Sequence, residues 1–263
     1  MRVHVVSDVH GNVEALKRAG DGADALVVLG DLIDFVDYHD HSAGIFGRVF
    51  GPDVVREFAR LRRDGKPGEA GAYARTLWSG LVDAKATVEE AVREQYAALF
   101  AALPAPTYAT PGNVDVPALW PEFAGGGVHV LDGGAADIGG LRFGFVGGAV
   151  LPAGVKPPHS GAVFRAYLRT PEEFDAAVAA LPPVDVLCSH APPDLPELTY
   201  DAVARRVEVG SAGLVAKIVA DRPRWAVFGH VHQPLCPRVR FAGTECANVG
   251  HFRRTETPYV LRW

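Results

Sequence analysis

The chain has 263 residues, 48% of them hydrophobic and 22% charged, with a formal net charge of -5. That balance fits a soluble globular protein with an ample core, offers no basic stripe for duplex nucleic acid, and includes no apolar run long enough to span a bilayer. Three cysteines (Cys188, Cys236 and Cys246), odd in number and without CxxC spacing, argue against a disulfide framework or a thiolate zinc site; with no secretory leader in view, a cytoplasmic protein is expected.

Residues 2–7 read as a buried strand, and residues 12–18 as a helix with Asn12 at its N-cap and Glu14 in its first turn. Residues 25–29 are short and apolar, as in a strand covered on both faces, and the strand–helix–strand spacing fits a βαβ unit. From residue 35 to about 103 no good strand appears. Val54, Val55, Phe58 and Leu61 predict a helix over 53–63, residues 72–82 are helical in pattern, and Val88, Ala91, Val92, Tyr96, Leu99 and Phe100 form one stripe over 87–103. Residues 64–68 read as a turn or linker. Residues 36–103 are therefore expected to be a helical insertion within a single domain spanning 1–263. Such an insertion would cover the sheet, cap a site or form a homodimer surface.

Further strands are expected at 107–110, 128–131 and 141–146, the last followed by Gly147-Gly148, where the backbone can turn tightly. Thr170-Pro171-Glu172-Glu173 is a strong helix start, with Thr at the N-cap, Pro next and Glu at the third position. A strand at 184–189, a helix at 211–220 and a strand at 225–229 follow. Short strands at 239–241, 246–249 and 259–261 make the tail β-rich, which predicts a second sheet packed on the first with helices outside.

Five of the strands end in metal-ligand residue types. The opening run Val3-His4-Val5-Val6-Ser7 leads into Asp8-Val9-His10, and the second strand into Gly30-Asp31. The third leads into Gly112-Asn113-Val114-Asp115, and the later ones into Ser189-His190 and Gly229-His230-Val231-His232. Taken singly, each has an ordinary explanation. An Asp after a strand is commonly a cap or turn residue, a lone His is commonly a surface residue, and two alternating histidines can share an exposed face. Seven ligand-type residues at successive strand ends favour a metal site instead.

In this order the motifs Asp8-x-His10, Gly30-Asp31-x-x-Asp34, Gly112-Asn113-x-Asp115, His190 and Gly229-His230-x-His232 resemble the five blocks of the calcineurin-like metallophosphoesterases. The resemblance covers most of the chain apart from the insertion. It implies an α/β fold, a four-layer α/β/β/α sandwich of the metallo-dependent phosphatase type, with two divalent ions at the strand ends. Carried over residue by residue, it gives one ion to Asp8, His10 and His232, and the other to Asn113, His190 and His230, with Asp31 bridging. Asp31, Asn113 and His190 would thereby act catalytically as well as bind metal. Such a mixed imidazole, carboxylate and amide set suits Mn, Fe, Zn or Co, with Mn favoured. Water shared by two ions roughly 3.5–4 Å apart becomes a nucleophile at neutral pH, and the ions clamp the phosphoryl oxygens. Asp34 and Asp115 are expected to orient ligands from behind, and Asn248-Val249-Gly250-His251 to support the site from a neighbouring loop. His4, His129, His159 and His251 have no motif support as functional residues.

One position departs from the pattern. Many members resembling this family, notably those cleaving phosphomonoesters or phosphoproteins, carry His after the block-three Asn, whereas here Val114 can neither stabilise a transition state nor protonate a leaving group. An apolar or small residue there goes with compact bacterial and archaeal phosphodiesterases and with the retromer scaffold subunit. The expected activity is hydrolysis of small phosphodiesters or nucleotides. A phosphomonoesterase or dinucleoside polyphosphate hydrolase is the alternative enzyme, and a non-catalytic scaffold the alternative from another class, disfavoured because no ligand is missing. Tyr38-His39-Asp40-His41 follows the second block closely; it reads either as a solvated polar loop or as a segment whose His39 or His41 contacts the phosphate or leaving group. Arg165 and His159 are weaker candidates for the same work. The expected partner is a small phosphoester, with neither membrane nor duplex nucleic acid.

Overall fold

The computed structural model describes residues 1–155 and 161–263. Two sheets face each other. The first has five strands, in the order Tyr259–Arg262, Arg2–Val6, Ala25–Val28, Thr107–Ala109 and Val128–Val130. All neighbours in it run parallel except Tyr259–Arg262, which pairs antiparallel with the opening strand. The second sheet has six strands, in the order Arg238–Phe241, Thr244–Asn248, Trp225–Phe228, Val186–Ser189, Leu141–Val146 and Gly134–Ile138. Its four inner strands are parallel, and an antiparallel strand closes each edge.

The strands alternate with period two between cores that are both apolar. Val3, Val5, Ala25 and Val27 pack between the sheets with Phe143, Phe145, Val186, Cys188 and Val227. Their neighbours Val6, Leu26 and Val28 face outward against Leu16 and the Val88, Val92 and Tyr96 stripe of helix Ala84–Ala101. On the other side Leu187, Ala226 and Phe228 meet Phe174 and Val178 of helix Pro171–Ala180, and Leu214 and Ile218 of helix Ala212–Asp221. The layers are helix, sheet, sheet and helix. That double coverage is why the inner strands read as continuous apolar runs.

Local signals placed the helix starts well. Asn12 Oδ1 accepts from the Ala15 N–H (3.1 Å) to open Val13–Leu16, and Thr170 and Glu173 form a reciprocal capping box. Between the second and third strands run four helices: Gly44–Phe50, Pro52–Arg63, Pro67–Ser79 and Ala84–Ala101. The third starts earlier than the expected residue 72, because Pro67 occupies its first turn, where a missing N–H costs nothing. Gly44–Phe50 had no sequence signal. Its N-cap is Ala43, with no side-chain cap, and it is held by tertiary packing of Phe46 against Phe58 and Trp78. Strand Gly134–Ile138 was also unanticipated, being filled with Gly and Ala. It pairs with Leu141–Val146 across Gly139-Gly140, both at positive φ, a two-residue hairpin turn. Among the described residues no helix is long and apolar enough to cross a membrane.

Candidate metal centre

The C-terminal ends of the parallel strands converge on one edge, where ligands of a two-sheet fold can meet. Their loops are laced together by backbone bonds. Asp8 N–H donates to Gly30 O (3.0 Å), His10 N–H to Asp31 O (2.9 Å), and Gly229 N–H to His190 O (3.1 Å). Asp8, His10, Asp31 and His230 all take left-handed backbone angles, with φ of +57°, +41°, +52° and +66°. Such non-glycine residues cost of order 1–3 kcal/mol each and collect where a site demands a particular side-chain direction. Two motif glycines answer to close approach. A Cβ on Gly112 would sit 2.2 Å from Asp31 Oδ1, and one on Gly229 would sit 1.9 Å from Ser7 Oγ and 2.4 Å from Asp8 Oδ2.

The side chains fall into two groups that share Asp31. In the first, His232 Nε2 lies 3.3 Å from Asp8 Oδ1 and 3.3 Å from His10 Nε2. His10 Nε2 is 3.9 Å from both Asp8 Oδ1 and Asp31 Oδ2. In the second, Asn113 Oδ1 is 2.9 Å from His190 Nε2 and 2.7 Å from His230 Nδ1, while His190 Nε2 lies 3.5 Å from Asp31 Oδ2. All seven residues expected as ligands are thus brought together.

Hydrogen bonds behind the ligands set which imidazole nitrogen carries the proton. His10 Nδ1 meets Ile33 O (3.2 Å) and His190 Nδ1 meets Leu29 O (2.7 Å). Each carbonyl accepts from Nδ1–H, leaving an Nε2 lone pair aimed into the cluster. His230 points Nδ1 inward, with Nε2 4.0 Å from Glu208 Oε2. Burial, then the charge of His232, holds His10 near pKa 3, and burial with His190 does the same for His230. Both are neutral, the form that binds metal. Burial would lower His232, but the nearby Asp8 carboxylate raises it. Burial, then Asp8 and Asp115, pushes Asp31 well above the usual carboxylate range.

This donor set fits divalent cations. Asp8 Oδ1 is buried with no hydrogen-bond partner. His190 Nε2 presents a lone pair to the Asn113 amide, with no proton between them if Oδ1 faces inward. Three buried carboxylates (Asp8, Asp31 and Asp115) crowd one edge. A cation in each group would relieve all three conditions, since bound ions invert the local cost of buried negative charge.

The supports lie where expected. Asp115 accepts from Gly112 N–H (2.8 Å), Leu32 N–H (3.1 Å) and Tyr96 O–H (3.2 Å), tying the block-two and block-three loops to the insertion. Asn248 Nδ2 donates to Gly229 O (3.1 Å) and Val231 O (2.9 Å). His4 is buried against Ala19 O, and His129 stacks on Tyr108. His39 is exposed and His41 partly buried, on a turn held by Asp37 Oδ1, and neither makes a hydrogen bond to the ligand cluster. Arg165 is exposed, and His159 lies outside the described residues.

Two residues near the cluster were missed. Arg253 pairs with Asp34 (2.8 Å) and with Asp37, and donates to His10 O (2.9 Å), clamping the C-terminal loop on the first two blocks. His251, read as bland, stacks on His232 with centroids 4.0 Å apart and stands edge-on to His10 at 5.6 Å. The Arg253 contacts span more than 200 residues of chain, so no local pattern announces them. The Asn-x-Gly-His segment was the available signal for His251. Two clefts adjoin the first group. One of about 740 Å³ is lined by His10, Asn12, Arg48, Gln95 and Arg253, and one of about 400 Å³ by His232, Gln233, Asn248, His251 and Arg254.

Parallel sheets with helices outside and a two-group His, Asp and Asn cluster at one edge define a metallo-dependent phosphatase fold. The calcineurin-like phosphoesterase family model matches residues 1–234, and the chain belongs to that family. The family's members are metal-dependent phosphoester hydrolases with a dinuclear divalent centre. No curated protein matches the chain in sequence. One solved crystal structure is similar at TM-score 0.60 and 18% identity, over 95% of this chain and 91% of that one. TT1561 of Thermus thermophilus is similar at TM-score 0.54 and 15% identity, over 98% of this chain and 97% of that one. At these identities the likeness concerns the fold.

Proposed function

We propose that this chain hydrolyses small phosphodiesters or nucleotides, with manganese the favoured ion. The observation that carries the reading is that two clefts reach the first ligand group, one at His10 and one at His232. A diester has substituents on both sides of phosphorus and needs room for each, whereas a monoester needs one. Val114 supports it too. Its side chain packs into the outer core and its N–H donates to Asp31 Oδ1 (2.9 Å), so block three offers the leaving group no proton.

Two ions held by these residues would polarise the phosphoryl group and acidify water. The chain's own work is to hold and orient. Asp8, His10 and His232 would bind on one side, Asn113, His190 and His230 on the other, and Asp31 between them. The carbonyls of Ile33 and Leu29 fix the His10 and His190 rings. In hydrolysis a water oxygen bonds to phosphorus, the ester P–O bond breaks, and the leaving oxygen takes a proton. His39 or His41 would contact that oxygen or the phosphate, on the loop that leaves Asp34.

The test is hydrolysis of an aryl phosphodiester against the matching monoester, using metal-stripped protein reloaded with Mn, Zn, Fe, Co or Mg. Metal-dependent diester cleavage is expected. Replacing His39 and His41 each with Ala should lower kcat/KM in at least one case, and unchanged values in both would remove them. Preferential monoester cleavage would discard the diester reading. Binding of metal without cleavage of either ester would favour a scaffold.

A further inference from the structure

His251 is fixed from both sides against the ligand loops. Before it, Asn248 is tied to the carbonyls around His230, and Gly250 turns at φ +92° with its N–H on Asn248 Oδ1 (2.9 Å). After it, Phe252 N–H donates to Ser7 O and Arg253 N–H to Asp8 O, each at 3.0 Å. The residue is 8% exposed, and its Nε2 is buried with no hydrogen-bond partner within the protein. Buried polar atoms are nearly always partnered, so one that is not points to something absent from the protein itself.

A nitrogen of His251 lies within 4.8 Å of ring nitrogens of His10 and His232. A third histidine ligand is the first thought, and the ring orientation speaks against it. His251 is stacked on His232 with 17° between the planes. An imidazole lone pair lies in the ring plane, so two parallel stacked rings do not aim at one point. What a donor beside His232 can serve is an oxyanion reaching that group from the 400 Å³ cleft, whose lining includes both residues.

We infer that His251 is a substrate-contacting residue, its Nε2–H donating to a phosphoryl oxygen of an ester seated over the Asp8, His10 and His232 group. The assignment rests on the proposed hydrolase function and adds a phosphate ligand to it.

Inorganic phosphate is the probe. Its affinity for the manganese-loaded protein is measured by calorimetry, and metal affinity separately by chelator competition. His251→Phe keeps an aromatic ring against His232 but has no donor. It should bind manganese as wild type does and phosphate about tenfold or more weakly, the cost of one hydrogen bond to a charged group. His251→Gln restores a donor without the ring and should bind phosphate more tightly than the Phe variant. Unchanged phosphate affinity in His251→Phe would overturn the assignment, as would phosphate and metal affinity falling together, which would make His251 a ligand or a prop for His232. If the wild-type protein holds manganese but no phosphate, the hydrolase reading fails first, and His251 loses its role with it.

Discussion

Replacing Asp31 with Asn should stabilise the metal-stripped protein while removing the stabilisation that divalent ions bring. Asp31 is 3% exposed, and one of its oxygens lies within 4.8 Å of one on Asp8. Two unit charges at that separation repel by about 3.5 kcal/mol at an effective dielectric near 20. His232, 3.3 Å from Asp8, cancels part of this, leaving a gain of about 1–3 kcal/mol for a neutral amide whose oxygen can still accept from Val114. For a chain of this size that is roughly 3–10 °C in Tm. The pH dependence carries the same sign. Burial, then Asp8 and Asp115, raises Asp31 above its ordinary 3.8, so the folded state binds more protons than the unfolded. Stability of the stripped wild-type protein from this group falls as pH rises from 3.8 through the elevated value, and the Asn variant lacks that slope. An ion at a hundred times its Kd adds about 2.7 kcal/mol to the wild-type protein. The variant, without the shared ligand, should gain far less. Thermal denaturation in chelator and in manganese, at acidic and neutral pH, reads every term. A variant that melts below wild type in chelator, or that rises equally with manganese, would refute the reasoning.

Three further substitutions follow. Gly229→Ala drives a Cβ into Ser7 and Asp8 Oδ2, so an overpacking cost of about 1–3 kcal/mol should appear in urea denaturation together with weakened manganese binding. Gly125→Ala meets nothing within 4 Å and should leave both unchanged. Arg253→Ala strands the buried Asp34 and Asp37 carboxylates and should cost about 3–5 kcal/mol by urea denaturation at neutral pH, a figure that a near-wild-type midpoint would contradict.

The clustering of the candidate ligands was legible because each follows a run whose burial on both faces is itself legible. Val3 to Val6 and Leu26 to Val28 can only be inner strands, and a polar residue just beyond such a strand is placed at the sheet edge by chain geometry alone. Asp115 was legible as a support because it stands two residues from Asn113. His251 and Arg253 were not, because their meaning lies in what they touch. The His251 ring becomes significant only beside His232, and Arg253 only across from Asp34 and Asp37. The insertion was legible where stripes carried it, as in Ala84–Ala101, and illegible at Gly44–Phe50, whose order comes from aromatic neighbours on other helices. The Gly139-Gly140 turn was the missed cue for the hairpin.

His10 and His232 stand 222 residues apart, and the opening strand is flanked on one side by Tyr259–Arg262. During synthesis at roughly 5–20 residues per second, about 10–45 s separate the emergence of the two histidines from the ribosome. Throughout that interval Asp8 and His10 lie just beyond a strand with an open side and lack the His232 imidazole beside them. A nascent chain could therefore not hold an ion as the finished cluster would. Metal held by these residues would therefore be acquired late, by a chain whose first candidate ligands emerge long before its last.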